Sequence, residues 1–421
     1  MKVNLKLVYH YIIIYLLIIS QGSVLYNNNQ EIFLVIYFIL ASLFVLKKRR
    51  KKIDKELGFI CILTIGLLVT RIATSGGLSF GSIGNIVATF LIAYLAVNYE
   101  KQLFVERYVK LVVFLSGISL AVFLIQIVDI NFIKNYLPVS KQINGNCYGG
   151  YLATVVEKHA LRNVGLATEP GRYQVYLIPA LMFTLFKTEC IHCSDKSIIW
   201  FRIILILTII SAQSTTGYIA LLLVLAGYLL EGIYYKKSNQ SKLRKKTNMI
   251  LILACIALAI YLMFTGSENF IYENFINKIF NKSGRFDLSD NTGSVRIISL
   301  LTDLSIAIKH PLGMGFDAYQ SLWLVSKVKF IGEPSSCVGL TISCAALGFP
   351  ITLLIILFYI KELNKNWKNI IQKGLLLLLL FNTALAQPVL YYAPMLVMFM
   401  VNSNNRGEPL KYKNKYGLAN K

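Results

Sequence analysis

The sequence predicts an all-α, polytopic integral membrane protein forming a single membrane domain over residues 1–421. Three observations predict it. Of the 421 residues 56% are hydrophobic and only 15% charged, where a soluble domain carries about 45–50% and about 25%. Mean hydropathy is +0.60, and the apolar residues gather into runs near the ~20 residues that cross a bilayer. The cations, 43 Lys and Arg against 20 Asp and Glu for a formal charge of +23, fall mainly between those runs. A nucleic-acid partner would account for the basicity alone, whereas apolar spans joined by positively charged cytoplasmic loops account for both features. A disordered chain and an ordinary cytosolic protein are excluded.

Twelve runs are read as spans: 5–20, 32–46, 57–73, 83–97, 111–128, 173–186, 198–211, 218–235, 249–264, 338–360, 370–385 and 389–401. The first resembles a signal-peptide core, but no small-residue cleavage motif is easily placed between Ser20 and Gln30, and Lys2 and Lys6 suit a retained anchor. Orientation follows from the block Lys47, Lys48, Arg49, Arg50, Lys51 and Lys52, which stays cytoplasmic. Alternation then places segments 99–110, 187–196, 236–246, 361–373 and the tail 402–421 inside, all bearing cations. The short links around Tyr26, Gly76, Gln213 and Gln387 fall outside with almost none. Both termini are expected in the cytoplasm and the chain in the cytoplasmic (inner) membrane.

Two outside segments are long, residues 131–171 and residues 265–335, and long loops without obvious domains of their own are usually functional. The first contains Asn144, Gly145, Asn146, Gly149 and Gly150. It ends on Arg162, Gly165, Glu169, Pro170 and Arg172 at the entrance to a span. Arginine suits a phosphate or diphosphate, because its planar fork donates two parallel charge-assisted hydrogen bonds and stays ionised. Anchoring to lipid headgroups is the alternative reading. The second loop holds Arg285, then Arg296 on an expected surface helix, residues 295–309, stopped by Pro311. Apolar positions fill most of that helix, and Arg296, Ser299 and Asp303 fall at helical spacing on another face. It is expected to lie apolar side down in the interface, presenting Arg296 at headgroup level. His310-Pro311-Leu312-Gly313-Met314-Gly315 follows. There His310 either accepts a proton from a sugar hydroxyl or simply ends the helix.

The order of these pieces resembles the O-antigen polymerase and ligase superfamily, Wzy-type polysaccharide polymerases in particular. The matching features are Arg162 with Gly165, Glu169-Pro170 and Arg172 entering a span, and Ser211-Ala212-Gln213-Ser214-Thr215-Thr216-Gly217 between two spans. Arg285 and Arg296 before a surface helix and the stretch from His310 to Gly315 complete the set. The likeness covers the central and C-terminal two-thirds of the chain. It implies a GT-C-like membrane glycosyltransferase, without cofactor, nucleotide sugar or metal, acting on the outer face. Its substrate would be an undecaprenyl-diphosphate-linked oligosaccharide, its product a surface polysaccharide such as capsule, O-antigen or exopolysaccharide. Membrane lipids, a chain-length regulator and a flippase are the expected partners, with no nucleic acid. Arginines stabilise the charge that grows on a leaving diphosphate, which nominates Arg162, Arg172, Arg285 and Arg296. Glu169 and His310 are the candidate bases.

Ligases of this superfamily carry a histidine shortly before the span after the second large loop. Here that stretch reads Glu333-Pro334-Ser335-Ser336-Cys337-Val338-Gly339, without one, which counts against a ligase-type transferase and leaves it as the alternative. A transporter or lipid-linked oligosaccharide flippase is another, but carriers place their site at mid-membrane, whereas these arginines cluster in two outer loops. Other signals read blandly. Cys190-Ile191-His192-Cys193 lacks a second ligand pair for zinc, so no metal is expected. Asn281-Lys282-Ser283 is a short glycosylation-type match. Cys147 and Cys337 share the outer side, where a disulfide could form. Arg71 and Asp129 sit at span ends, where snorkelling explains them.

Overall fold

Among the described residues helices form where the apolar runs lie. The computed structural model describes residues 4–20, 22–48, 54–142, 145–234, 292–326 and 336–402. The helices are α1 (Leu5–Ile19), α2 (Val24–Asn28), α3 (Gln30–Lys48), α4 (Lys55–Ala73), α5 (Phe80–Tyr99), α6 (Phe104–Val128) and α7 (Ile130–Tyr136). After a small sheet come α8 (Pro170–Phe186), α9 (Asp195–Ser211), α10 (Thr215–Tyr234), α11 (Thr292–Lys309), α12 (Phe316–Ser326), α13 (Gly339–Asn366), α14 (Ile370–Ala386) and α15 (Ala393–Met400). Six of these, α3 to α6 with α10 and α13, are long and apolar enough to cross a membrane, and α1 and α14 are shorter apolar helices.

The protein is a membrane-embedded helical bundle. Apolar side chains such as Ile32, Ile62, Ile65, Leu124, Leu222, Leu353 and Phe381 stand more than half exposed along α3, α4, α6, α10, α13 and α14. In water that surface would aggregate; against acyl chains it is the natural solvent-facing side. The run 249–264 lies outside the described residues. The run 389–401 is corrected: its first residues are not helical, and only Ala393–Met400 forms a helix. At about 1.5 Å per residue, eight residues cannot span a bilayer. α15 and α8 are instead buried within the bundle, α8 carrying Pro179 in its interior, which neighbouring helices make tolerable.

The all-α expectation also needs amendment at residues 131–171. This segment carries α7 and an antiparallel sheet in the order β1 (Val139–Gln142), β2 (Gly145–Gly149), β3 (Thr154–Val156). Val139 pairs with Tyr148 and Cys147 with Val156. Cys147 is wholly buried with Val24, Val156 and Val164, and burial pushes its thiol up to about 11. Cys337 lies elsewhere, beside Arg296, and both cysteines are free, so the disulfide does not form. Asp129 caps α7 by accepting from the Asn131 and Phe132 amides, a structural role.

The end of the bundle away from the sheet is tied by buried polar contacts. His10 is fully buried. Its Nε2 donates to the Ala96 carbonyl at 3.0 Å, which leaves Nδ1 to accept from Arg107 at 2.6 Å. Arg107 also pairs with Glu100. Trp367 donates to the Met398 carbonyl, and at the surface Lys365 pairs with Glu56.

The helix expected at 295–309 is present as α11, but its sides are assigned differently. Ser299 and Asp303 are fully buried, while Ile297, Leu301 and Ile308 are exposed. The polar side faces the protein because Asp303 accepts from Tyr319 (2.6 Å), Ser336 (2.7 Å) and Thr341 (2.7 Å), tying α11 to α12 and α13. Burial raises its carboxyl above 3.8 against the pull of those donors. Asp303→Ala strips three hydroxyls of their acceptor and is expected to cost about 3 kcal/mol. A lower Tm of the detergent-solubilised protein reports it, with Asp303→Asn falling in between.

α13 is broken. Gly348 has φ +85° and ψ 162°, and Pro350 follows two residues later. The backbone groups freed there are taken up by the turn after α11: Phe349 donates to the Pro311 carbonyl at 2.9 Å, and Gly315 donates to the Ala346 carbonyl at 2.8 Å. Gly315 itself has φ +81° and presses against the Gly77 carbonyl of the α4–α5 link, so backbone meets backbone with no room for a Cβ.

Candidate functional site

The segment between the sheet and α8 is held rigidly along its length. Gln126 of α6, almost completely buried, donates to the Ala160 carbonyl at 2.5 Å and to that of His159 at 3.3 Å. The Arg162 amide donates to the His159 carbonyl, closing a turn that places both side chains on one segment. Asn163 then pins the chain to the bundle. Its Nδ2 donates to Ser211 at 3.0 Å and Ser119 at 3.2 Å, its Oδ1 accepts from the Gly165 amide, and its own amide donates to the Ser211 carbonyl. Gly165, at φ +57°, lies flat on the Tyr173 ring. Tyr176 accepts from the Leu166 amide, and Thr168 donates to the Gly22 carbonyl.

Glu169 is the N-cap residue of α8 and Pro170 its first residue. This arrangement suits Pro, whose missing N–H would have had no intrahelical partner there. Arg172 lies across Gly22, where a Cβ would come within 2.6 Å of its Cδ. Its Nε stands 3.6 Å from a Glu169 carboxylate oxygen, an ion-pair separation longer than a hydrogen bond. That Nε is buried and has no hydrogen-bond partner. A helix N-terminus adds partial positive charge at the same place. The result is a guanidinium with donors to spare, beside a carboxylate, at the end of the bundle that carries the sheet.

His159 belongs to this group. Burial foremost, then the Arg162 and Lys158 cations, hold its imidazole below 6.5, with Glu169 pulling the other way. Sequence reasoning weighed His310 and passed over His159; its position three residues before Arg162 was the available signal. The stretch from Ser211 to Gly217 also meets this segment. Ser211 receives Asn163, and Gly217 leaves space for the Gln174 side chain one turn below Gly171.

The second loop contributes differently. Arg285 lies outside the described residues, as does Asn281-Lys282-Ser283. Arg296 is half-buried on α11, beside Cys337, whose thiol burial pushes up while Arg296 pulls it down. His310 is exposed. Its amide donates to the Ile306 carbonyl and its carbonyl accepts from Gly313, so its backbone ends α11 and forms the turn that fills the break in α13. The structure therefore joins Arg162, Glu169 and Arg172 with His159, and sets His310 in the α11–α13 contact. Arg71 is occupied by the Leu78 carbonyl and the Phe80 ring. His192 is paired with Glu106 at 2.8 Å.

These residues are the ground for a functional reading, since no family model, curated protein or solved structure matches the chain.

Proposed function

We propose that the chain is a Wzy-type polymerase, joining undecaprenyl-diphosphate-linked oligosaccharide repeat units into surface polysaccharide on the outer face of the cytoplasmic membrane. The observation that supports this most is Arg172: a guanidinium with a buried, unpartnered Nε at a helix N-terminus, sharing one rigid segment with Arg162, Glu169 and His159. In this reading an acceptor hydroxyl oxygen attacks the anomeric carbon of the donor chain. The bond from that carbon to the diphosphate oxygen breaks, and the hydroxyl proton passes to a base. Arg162 and Arg172 receive the charge that grows on the diphosphate, stabilising the transition state more than the bound substrate. The same reading nominates Arg296 of the second loop for the anion, and with it Arg285, which lies outside the described residues. Glu169 orients Arg172, and His159 suits the proton-accepting role better than the exposed His310. A flippase delivers the repeat units and a chain-length regulator sets where growth stops.

The test is direct. Purified protein incubated with a lipid-linked repeat unit should yield dimers and longer chains with release of lipid diphosphate. Unchanged substrate after prolonged incubation would refute the assignment, and repeat units collecting on the inner face of cells lacking the protein would favour the flippase.

A pH profile tests the base. A rate that needs the neutral His159 ring should persist below pH 6.5 and fall only as the lowered imidazole takes a proton. Arg162→Gln removes one cation that lowers it, so the acid limb is expected to shift to higher pH, whatever the absolute rate. A limb that stays in place would remove His159 from this role.

A further inference from the structure

At the end of the bundle opposite the sheet, α1 and α3 diverge over α5 and leave a groove of about 500 Å³. Its walls are the side chains of Tyr9, Ile12, Leu43, Phe44, Leu95 and Tyr99. Tyr9 and Tyr99 meet with ring centroids 5.3 Å apart, and Phe44 lies 6.2 Å from Tyr99, so the floor is aromatic and continuous. Two lysines, Lys6 and Lys47, also line the groove, and no acidic side chain does. Among the described residues neither lysine has an ion-pair partner. Lys47 also opens the six-residue cationic block that continues to Lys52.

We infer that this groove binds one anionic phospholipid of the surrounding membrane, an acyl chain lying between α1 and α3 and the phosphate held between Lys6 and Lys47. The argument is charge complementarity joined to shape. An apolar slot of this size falls within the range of small-ligand sites and takes an alkyl chain without polar groups to satisfy. The two ammonium groups at its rim, on stems that run along apolar surface, select a negatively charged headgroup. A zwitterionic lipid offers the same chain but returns none of the net charge. The carrier's polyprenyl phosphate shares the phosphate chemistry. Its stiffer branched chain fits less well across a floor of closely packed rings, so the commitment is to the phospholipid. This site lies at the other end of the bundle from Arg172 and does not depend on the proposed activity.

Native mass spectrometry of the full-length protein released from detergent tests it, with phosphatidylglycerol, phosphatidylcholine and undecaprenyl phosphate titrated separately. One phosphatidylglycerol should be retained, in preference to phosphatidylcholine. The double variant Lys6→Gln/Lys47→Gln should lose that preference by roughly thirtyfold, the loss that two surface lysines carry against an anionic lipid. Leu43→Trp, which obstructs the slot without altering either lysine, should lower retention of the first lipid and serves where the double variant does not fold. Equal retention of the two phospholipids, or full retention by Leu43→Trp, would overturn the proposal. Tighter binding of undecaprenyl phosphate would reassign the groove to the carrier lipid.

Discussion

Arg172→Ala is expected to lower repeat-unit transfer by about a hundred- to a thousand-fold, the usual consequence of removing one preorganised donor from a charge that develops in the transition state. In cells bearing the variant, long polysaccharide should vanish while single lipid-linked repeat units accumulate. The size of the effect follows from the setting of the side chain. Its Nε is buried without a hydrogen-bond partner, 3.6 Å from Glu169, and a guanidinium held out of water stabilises a developing oxyanion more than one in bulk solvent. Arg172→Lys retains the charge but not the planar fork, and should recover only part of the rate. Because Arg172 also lies over Gly22, size-exclusion behaviour and Tm of the variants must match the parent for the loss to count as chemical. A normal chain-length distribution in Arg172→Ala membranes would sink the polymerase reading.

Gly315→Ala is expected to produce the largest loss of stability, above about 4 kcal/mol, within the range reserved for backbone collisions and special dihedrals. A Cβ there would collide with the Gly77 carbonyl, a backbone atom that cannot rotate away, and φ +81° adds strain of its own. The outcome should be visible as a Tm fall or as loss of the monodisperse species in detergent. Gly84→Ala, on α5 where a Cβ meets open space, is the matching control and should leave the Tm unchanged or slightly raised, as alanine suits a helix interior better than glycine.

Much of the bundle was legible because a bilayer imposes one strong rule: a span must be apolar for about 20 residues. Runs such as 57–73, 83–97 and 111–128 became α4, α5 and α6 with small shifts at their ends. The rule fails where a segment is apolar because protein rather than lipid surrounds it. Residues 393–400 are as apolar as a span and are a short helix buried among α5, α8 and α13. It is silent again at β1 to β3, whose strands of three to five residues are too short for a period of two to stand out. The inward side of α11 was misassigned for a related reason. A charged Asp303 reads as solvated until Tyr319, Ser336 and Thr341 are seen to satisfy its carboxylate.

The candidate site was readable to the extent that it is local. Arg162, Glu169 and Arg172 sit within eleven residues of one another, and a continuous segment keeps them together. His159 could have been found the same way. What sequence spacing could not provide was the contact between the 211–217 stretch and Asn163, which joins residues separated by two helices. Nor could it show that the glycines after His310 serve a broken helix rather than a ligand.

That broken helix imposes an order on synthesis. The turn that occupies the break, residues 310–315, leaves the ribosome before α13 exists to receive it. At about 5–20 residues per second, its unpaired amides wait on the order of seconds, with α4, α5 and their link already delivered. The Gly77–Gly315 contact can form during that interval, whereas Phe349 and Ala346 arrive only afterwards. The turn at residues 310–315 is thus fastened to Ala346 and Phe349 only once α13 has followed it into the bundle, so that span closes a contact left open since the turn was made.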